Sequence, residues 1–202
     1  MRITTRLRVI STVTIIALMV LSPLLIWSFV EFKNAKSDYI LADTIKINFF
    51  ERASYRDQYF LYREERTRLL WEKNKATADQ LLLQANSQFH REQDQQLLER
   101  LRKSIEDTAA IFHRIVNNTK VLKIATDNRQ VYEELDKRLY SQLLMKANTV
   151  RDAATTLKDA SARRIELSYE HVNIIVGLFA ITLVLATILT SAQLDRLIRR
   201  RL

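Results

Sequence analysis

VISTVTIIALMVLSPLLIWSFV (residues 9–30) and VNIIVGLFAITLVLATILTSAQL (residues 172–194) decide how this chain folds, because neither contains a charged residue. About 20 apolar residues, at 1.5 Å rise each, cross the roughly 30 Å of hydrocarbon in a bilayer. Both stretches are long enough. A soluble core helix that is apolar all round over such a length is rare. A cleavable signal peptide carries an apolar region of about 7–15 residues followed by small residues. The first stretch is longer and runs into Ser28, Phe29, Val30, Glu31 and Phe32, so an uncleaved anchor is expected.

The flanking charges orient the two spans. Arg2, Arg6 and Arg8 precede the first; Arg196, Arg199, Arg200 and Arg201 follow the second, opposed only by Asp195. Positively charged flanks remain on the cytoplasmic side, so both termini are expected inside and residues 31–171 outside. The formal net charge of +9 then divides evenly, +3 in each flank and +3 in the middle, where 25 Lys and Arg face 22 Asp and Glu. Membrane orientation accounts for most of the basicity, and no nucleic-acid partner is expected.

Residues 31–171 contain no glycine, proline or cysteine; the only glycine and the only proline, Gly177 and Pro23, lie in the spans. A compact sheet would lack the residues its tight turns need, and no disulfide framework can form. The periodicity is helical. Leu98, Leu101, Ile105, Thr108, Phe112 and Ile115 recur at alternating steps of three and four, the seam of a helix packed at a shallow angle. Leu143, Ala147, Val150, Ala154, Leu157, Ser161, Arg164 and Ser168 repeat the pattern towards the second span.

The expected fold is all-α: two transmembrane helices flanking an extracytoplasmic, antiparallel four-helix bundle, up-down-up-down. Its parts are a cytoplasmic flank (1–8), a first span (9–30), the outer domain (31–171), a second span (172–194) and a cytoplasmic stub (195–202). Helix one is expected from about Glu31 to about Trp71, and a short helix two around Leu81, Leu82, Leu83 and Phe89. Helix three spans the Leu98–Ile115 seam, and helix four runs from about Arg129 into the second span. Helix one continuing to about Phe89 gives a three-helix alternative. Asn117, Asn118 and Thr119 are the first choice for a turn, since Asn tolerates left-handed backbone; residues 74–77 and 90–94 come next.

Chemistry is sparse. There is no glycine-rich phosphate loop, no cysteine and no paired-histidine metal spacing, and His90, His113 and His171 are far apart. No catalysis, metal or cofactor is expected. The densest functional cluster is ERASYRDQYFLYREERTRLLW, residues 51–71. On one helix, Arg52, Arg56, Tyr59, Arg63 and Arg66 share a face, and the arginine fork suits carboxylates and other oxyanions. These five are the candidate ligand-binding residues, for a small anion. The plainer reading is ordinary ion pairing with Glu51, Asp57, Glu64, Glu65 or acids on neighbouring helices. In the second span, Asn173, Gly177, Ala180, Val184, Thr187 and Ser191 form a mostly small face of the kind that favours helix association in lipid, either with the first span or with a partner's second span.

Two spans around a helical outer domain, with a basic cytoplasmic stub, resemble the sensory half of bacterial transmembrane receptors: sensor histidine kinases and methyl-accepting chemotaxis receptors. Residues 56–66, RDQYFLYREER, followed by Trp71, look like the outer helix of sensor histidine kinases. The resemblance implies a homodimer in the bacterial inner membrane that passes a periplasmic stimulus to a cytoplasmic output domain. Leu194, Asp195, Arg196, Leu197 and Ile198 resemble the start of a HAMP linker without its usual early proline. Any kinase domain would lie beyond residue 202. The alternative is a structural or adaptor membrane protein that binds another protein through its outer helices.

Overall fold

The computed structural model describes the backbone of residues 3–124 and 128–198 and the side chains of residues 12–124 and 128–192. The arginine flanks and the linker-like 194–198 side chains fall outside that set. Within it the chain forms four α-helices and no strand: α1 (Ile3–Tyr62), α2 (Glu65–Gln88), α3 (Glu92–Leu122) and α4 (Arg129–Ile198). The chain divides into two compact units, one of residues 1–36 with 163–202, the other of residues 37–162.

The first unit holds the uncharged stretches. Both lie in helices long and apolar enough to cross a membrane, and α1 continues through Pro23. Their apolar surface is largely exposed, as at Met19, Ile26, Ile174 and Ile181. Thr14, Ala17, Leu18, Leu21 and Leu25 are half-buried at helical spacing, and so are Val172, Ile175, Phe179, Thr182 and Ala186 on α4. Gly177 has open space beside it, and Asn173, Ala180, Val184, Thr187 and Ser191 are exposed. The threonine hydroxyls at 182, 187 and 190 each donate to a carbonyl four residues back, at Leu178, Leu183 and Ala186, all at 2.8 Å.

The second unit is built on two apolar clusters to which all four helices contribute. One contains Ile45, Phe49, Leu82, Phe89, Leu101, Ile105, Ala154 and Leu157. The other contains Tyr59, Trp71, Phe112, Ile115, Leu139 and Leu143. Each fully buried Leu, Ile or Phe contributes about 1.5–3 kcal/mol of transfer free energy, so packing dominates. All six residues of the Leu98–Ile115 seam are buried. Polar partners run in opposite numerical order: Asp43 with Lys158, Asp57 with Tyr140 and Arg63 with Asp136.

The turns differ from expectation. Asn117, Asn118 and Thr119 lie inside α3, and residues 74–77 inside α2. Asn118 is kept helical by tertiary bonds, its Nδ2 donating to Tyr132 O at 2.9 Å, while Thr119 Oγ1 donates to Ile115 O at 2.9 Å. Only the break before Glu92 matches an expected turn. There Phe89 is extended and 1% exposed, and Gln95 Nε2 covers the last carbonyls of α2 by donating to Asn86 O and Phe89 O.

Helix one stops at Tyr62 rather than near Trp71, because Arg63 adopts φ 55. Its N–H donates to Tyr59 O at 2.8 Å, the left-handed ending that glycine usually supplies. A side chain there costs about 1–2 kcal/mol. The Arg63 guanidinium offsets that cost by gripping both Asp136 carboxylate oxygens and Thr119 Oγ1.

Candidate functional site

The break at Arg63 divides the five candidate residues. Arg52 and Arg56 are buried on α1. Tyr59 is buried in the second cluster, its ring 5.2 Å from Phe112; burial, ahead of all other influences, pushes its phenol above the usual value. Arg63 is the turn residue just described. Arg66 is exposed in the first turn of α2. The single face does not exist, because the helix carrying it ends at Tyr62.

Arg52 and Arg56 instead line a cavity of about 240 Å³ within the second unit. Its walls come mostly from α1 and α4, with Trp71 from α2 and Thr108 from α3. Four cations line it, Lys46, Arg52, Arg56 and Arg151, against one carboxylate, Asp57. Arg52 and Arg56 are 6% and 9% exposed, so they form the floor. Lys46 is half-buried and Arg151 exposed, at the mouth. The aromatic surfaces carry cations: Arg52 lies 4.1 Å from the Trp71 ring centre, and Arg151 lies 5.3 Å from that of Phe50.

Ion pairing explains some of these arginines and not others. Arg63 has Asp136 on a neighbouring helix. Arg56 Nε donates to Asp57 Oδ1 at 2.7 Å, and the same oxygen accepts from Tyr140 Oη at 3.0 Å. Burial, then Asp57, raises the Tyr140 phenol. Arg52 differs. Its Nη2 is buried without a hydrogen-bond partner. The carboxylates that act on it, Asp79 and Glu72, are engaged by Lys75 and Arg68.

Burial pushes the Arg52 guanidinium down to about 10, against the weaker pull of Asp79 and Glu72. It stays charged at neutral pH. Between about 10 and the ordinary arginine value the unfolded chain binds more protons than the folded one, so this group's penalty is complete below pH 10 and is relieved only as pH rises through that window. Replacing a buried ion pair by apolar residues of similar size is commonly neutral or stabilising by about 1–4 kcal/mol, and a poorly compensated ion has less Coulombic attraction to lose. Arg52→Met is therefore expected to stabilise the ligand-free protein at pH 7 by about 1 kcal/mol, after loss of the Trp71 cation–π contact. Thermal melts of the two proteins check this. A clearly lower Tm for the variant would mean that the guanidinium is satisfied in the free protein.

Lys46, Arg151 and Trp71 escaped the sequence reading as site residues. Lys46 and Phe49 extend the Arg52 and Arg56 face upstream at helical steps, a signal that was legible. Arg151 comes from α4, about a hundred positions away, and only the fold brings it in. Among the described residues no three His, Asp or Glu groups converge as a metal site. The chain matches no protein-family model, no curated protein and no solved structure.

Proposed function

We propose that this chain is the sensory and transmembrane signalling module of a bacterial receptor, similar in plan to sensor histidine kinases or chemotaxis receptors. One observation carries the reading. The two helices that supply most of the cationic cavity, α1 and α4, are the same two that contain the stretches long and apolar enough to cross a membrane. In this reading residues 31–171 form an antiparallel, up-down-up-down bundle outside the inner membrane, and both termini are cytoplasmic. A homodimer forms along the open, small-residue face of the second span. Occupation of the cavity biases two arrangements of α1 and α4, and α4, helical from Arg129 to Ile198, carries a shift of about 1–2 Å to a cytoplasmic output domain. The chain itself performs no catalysis.

The absence of native cysteine makes single-label work direct. Thr149→Cys and Val184→Cys, each spin-labelled in the full chain in nanodiscs, are expected to give inter-protomer distances that change on addition of a cavity ligand. Absence of any inter-protomer distance, or distances indifferent to a ligand shown to bind, would end this reading. An impermeant maleimide should also label Thr149→Cys in intact cells.

A second reading, constitutive binding of another protein, has one observation in its favour. Leu61, Tyr62, Ile124 and Val131 are exposed near the end of the second unit where Arg63 meets Thr119 and Asp136. Co-purification of one stoichiometric partner that is lost with Leu61→Glu would favour it.

A further inference from the structure

We infer that the cavity binds a small organic acid with an apolar body, its acid group seated on Arg52 and Arg56. The inference rests on the sensory reading for its purpose but is tested by binding alone. Three features of the cavity select this class. First, the charge is lopsided, with four cations against one carboxylate, so an anion is favoured. Second, the deep cation is poorly compensated: Arg52 is 6% exposed and its Nη2 has no acceptor. A buried donor left unmade is costly, and a carboxylate brought against the Arg52 guanidinium supplies the missing countercharge. Third, the walls are not those of a phosphate site. Phe49, Phe50, Trp71, Leu143 and Val150, with three alanines, make up most of the rest of the lining, and bare inorganic anions gain nothing from such surface.

Size narrows the class further. Sites for drug-sized molecules occupy about 300–1,000 Å³, and this cavity holds about 240 Å³. An aromatic or short aliphatic monocarboxylate matches that size.

Asp57 gives binding a consequence. It is the internal carboxylate that Arg56 already holds, through the same Oδ1 that accepts the Tyr140 hydroxyl from α4. An incoming acid competes with Asp57 for Arg56. Any withdrawal of Asp57 loosens a polar link between α1 and α4.

The test uses the full chain in phosphatidylcholine nanodiscs, with thermal stabilisation and titration calorimetry as readouts. The probes are benzoate, phenylacetate and hexanoate, with benzyl alcohol and inorganic phosphate as comparators. At least one of the three acids is expected to bind at millimolar concentration or below, with both comparators at least tenfold weaker. Arg52→Met is expected to weaken that acid at least tenfold while melting no lower than the parent, which separates lost binding from lost folding. Asp57→Asn should tighten binding severalfold by removing the competing carboxylate, and Arg66→Met should leave it unchanged. The proposal is overturned if none of the acids binds, if phosphate or benzyl alcohol matches the best acid, or if Arg52→Met binds normally. It is also overturned if phosphatidylglycerol discs give the Arg52-dependent stabilisation without added acid, since a lipid headgroup would then be the occupant. Acid binding without helix movement would retire the signalling reading and leave this one standing.

Discussion

Trp71→Ala is expected to lower the stability of the second unit by about 3–5 kcal/mol, the usual cost of truncating a buried tryptophan or phenylalanine. Trp71 is 2% exposed. Its ring stacks on Phe112, with centres 3.9 Å apart and planes 19° apart. On another side it meets the Arg52 guanidinium, so truncation opens a hole in the second cluster and strips a buried cation of its aromatic neighbour. With domains stable by only about 5–15 kcal/mol, that is a large share. A fall of about 10 °C in the melting of the full chain is expected, from about 2–4 °C per kcal/mol at this size. Hydrogen exchange at α2 and α3 amides should accelerate in parallel. Trp71→Phe keeps a ring against Phe112 and should lose much less. Equal losses for the two variants would refute the stacking account.

The second large effect is expected at Asp136, which is 5% exposed. It receives both nitrogens of the Arg63 fork and, at 3.4 Å, Nδ2 of Asn118. Removing one partner of a buried pair costs about 3–5 kcal/mol. The Arg63 side chain keeps 24% of its exposure, so water recovers part of the loss and about 2–3 kcal/mol is expected for Asp136→Ala. Chemical denaturation of the full chain in detergent reads it. Arg63→Gly and Arg63→Ala supply the control. Both lose the ion pair, but glycine accepts φ 55 freely, so the glycine variant should be the more stable by about 1 kcal/mol. Should alanine equal glycine there, the left-handed turn is not what Asp136 holds in place.

Different parts of the molecule were legible in the sequence to different degrees, for physical reasons. The Leu98–Ile115 seam was readable because α3 buries one face and leaves the other in water, which imposes a period on its residue types. The two apolar stretches were readable because each runs for more than 20 residues without a charge, long and apolar enough to cross a membrane. The α1–α2 turn was hidden. Arg63 carries no turn signature, and its conformation is fixed by Asp136, 73 positions later. The Asn-rich segment misled for the complementary reason: Asn118 looks like a helix breaker until Tyr132 O and Asp136 accept its protons. The site shows the same division. Arg52 and Arg56 stood out by residue type, but whether each was paired depended on neighbours in other helices. Arg63 found a buried acid and Arg52 did not.

The threonines of the second apolar stretch bear on how such a helix could move. With the protons at positions 182, 187 and 190 already turned inward to their own backbone, what a neighbouring helix touches there is chiefly methyl. Contact through methyl groups depends on shape and has few directional bonds to break. A helix resting on such a surface can creep or swivel by an ångström with little friction, whereas a ladder of cross-helix hydrogen bonds would lock it in one register.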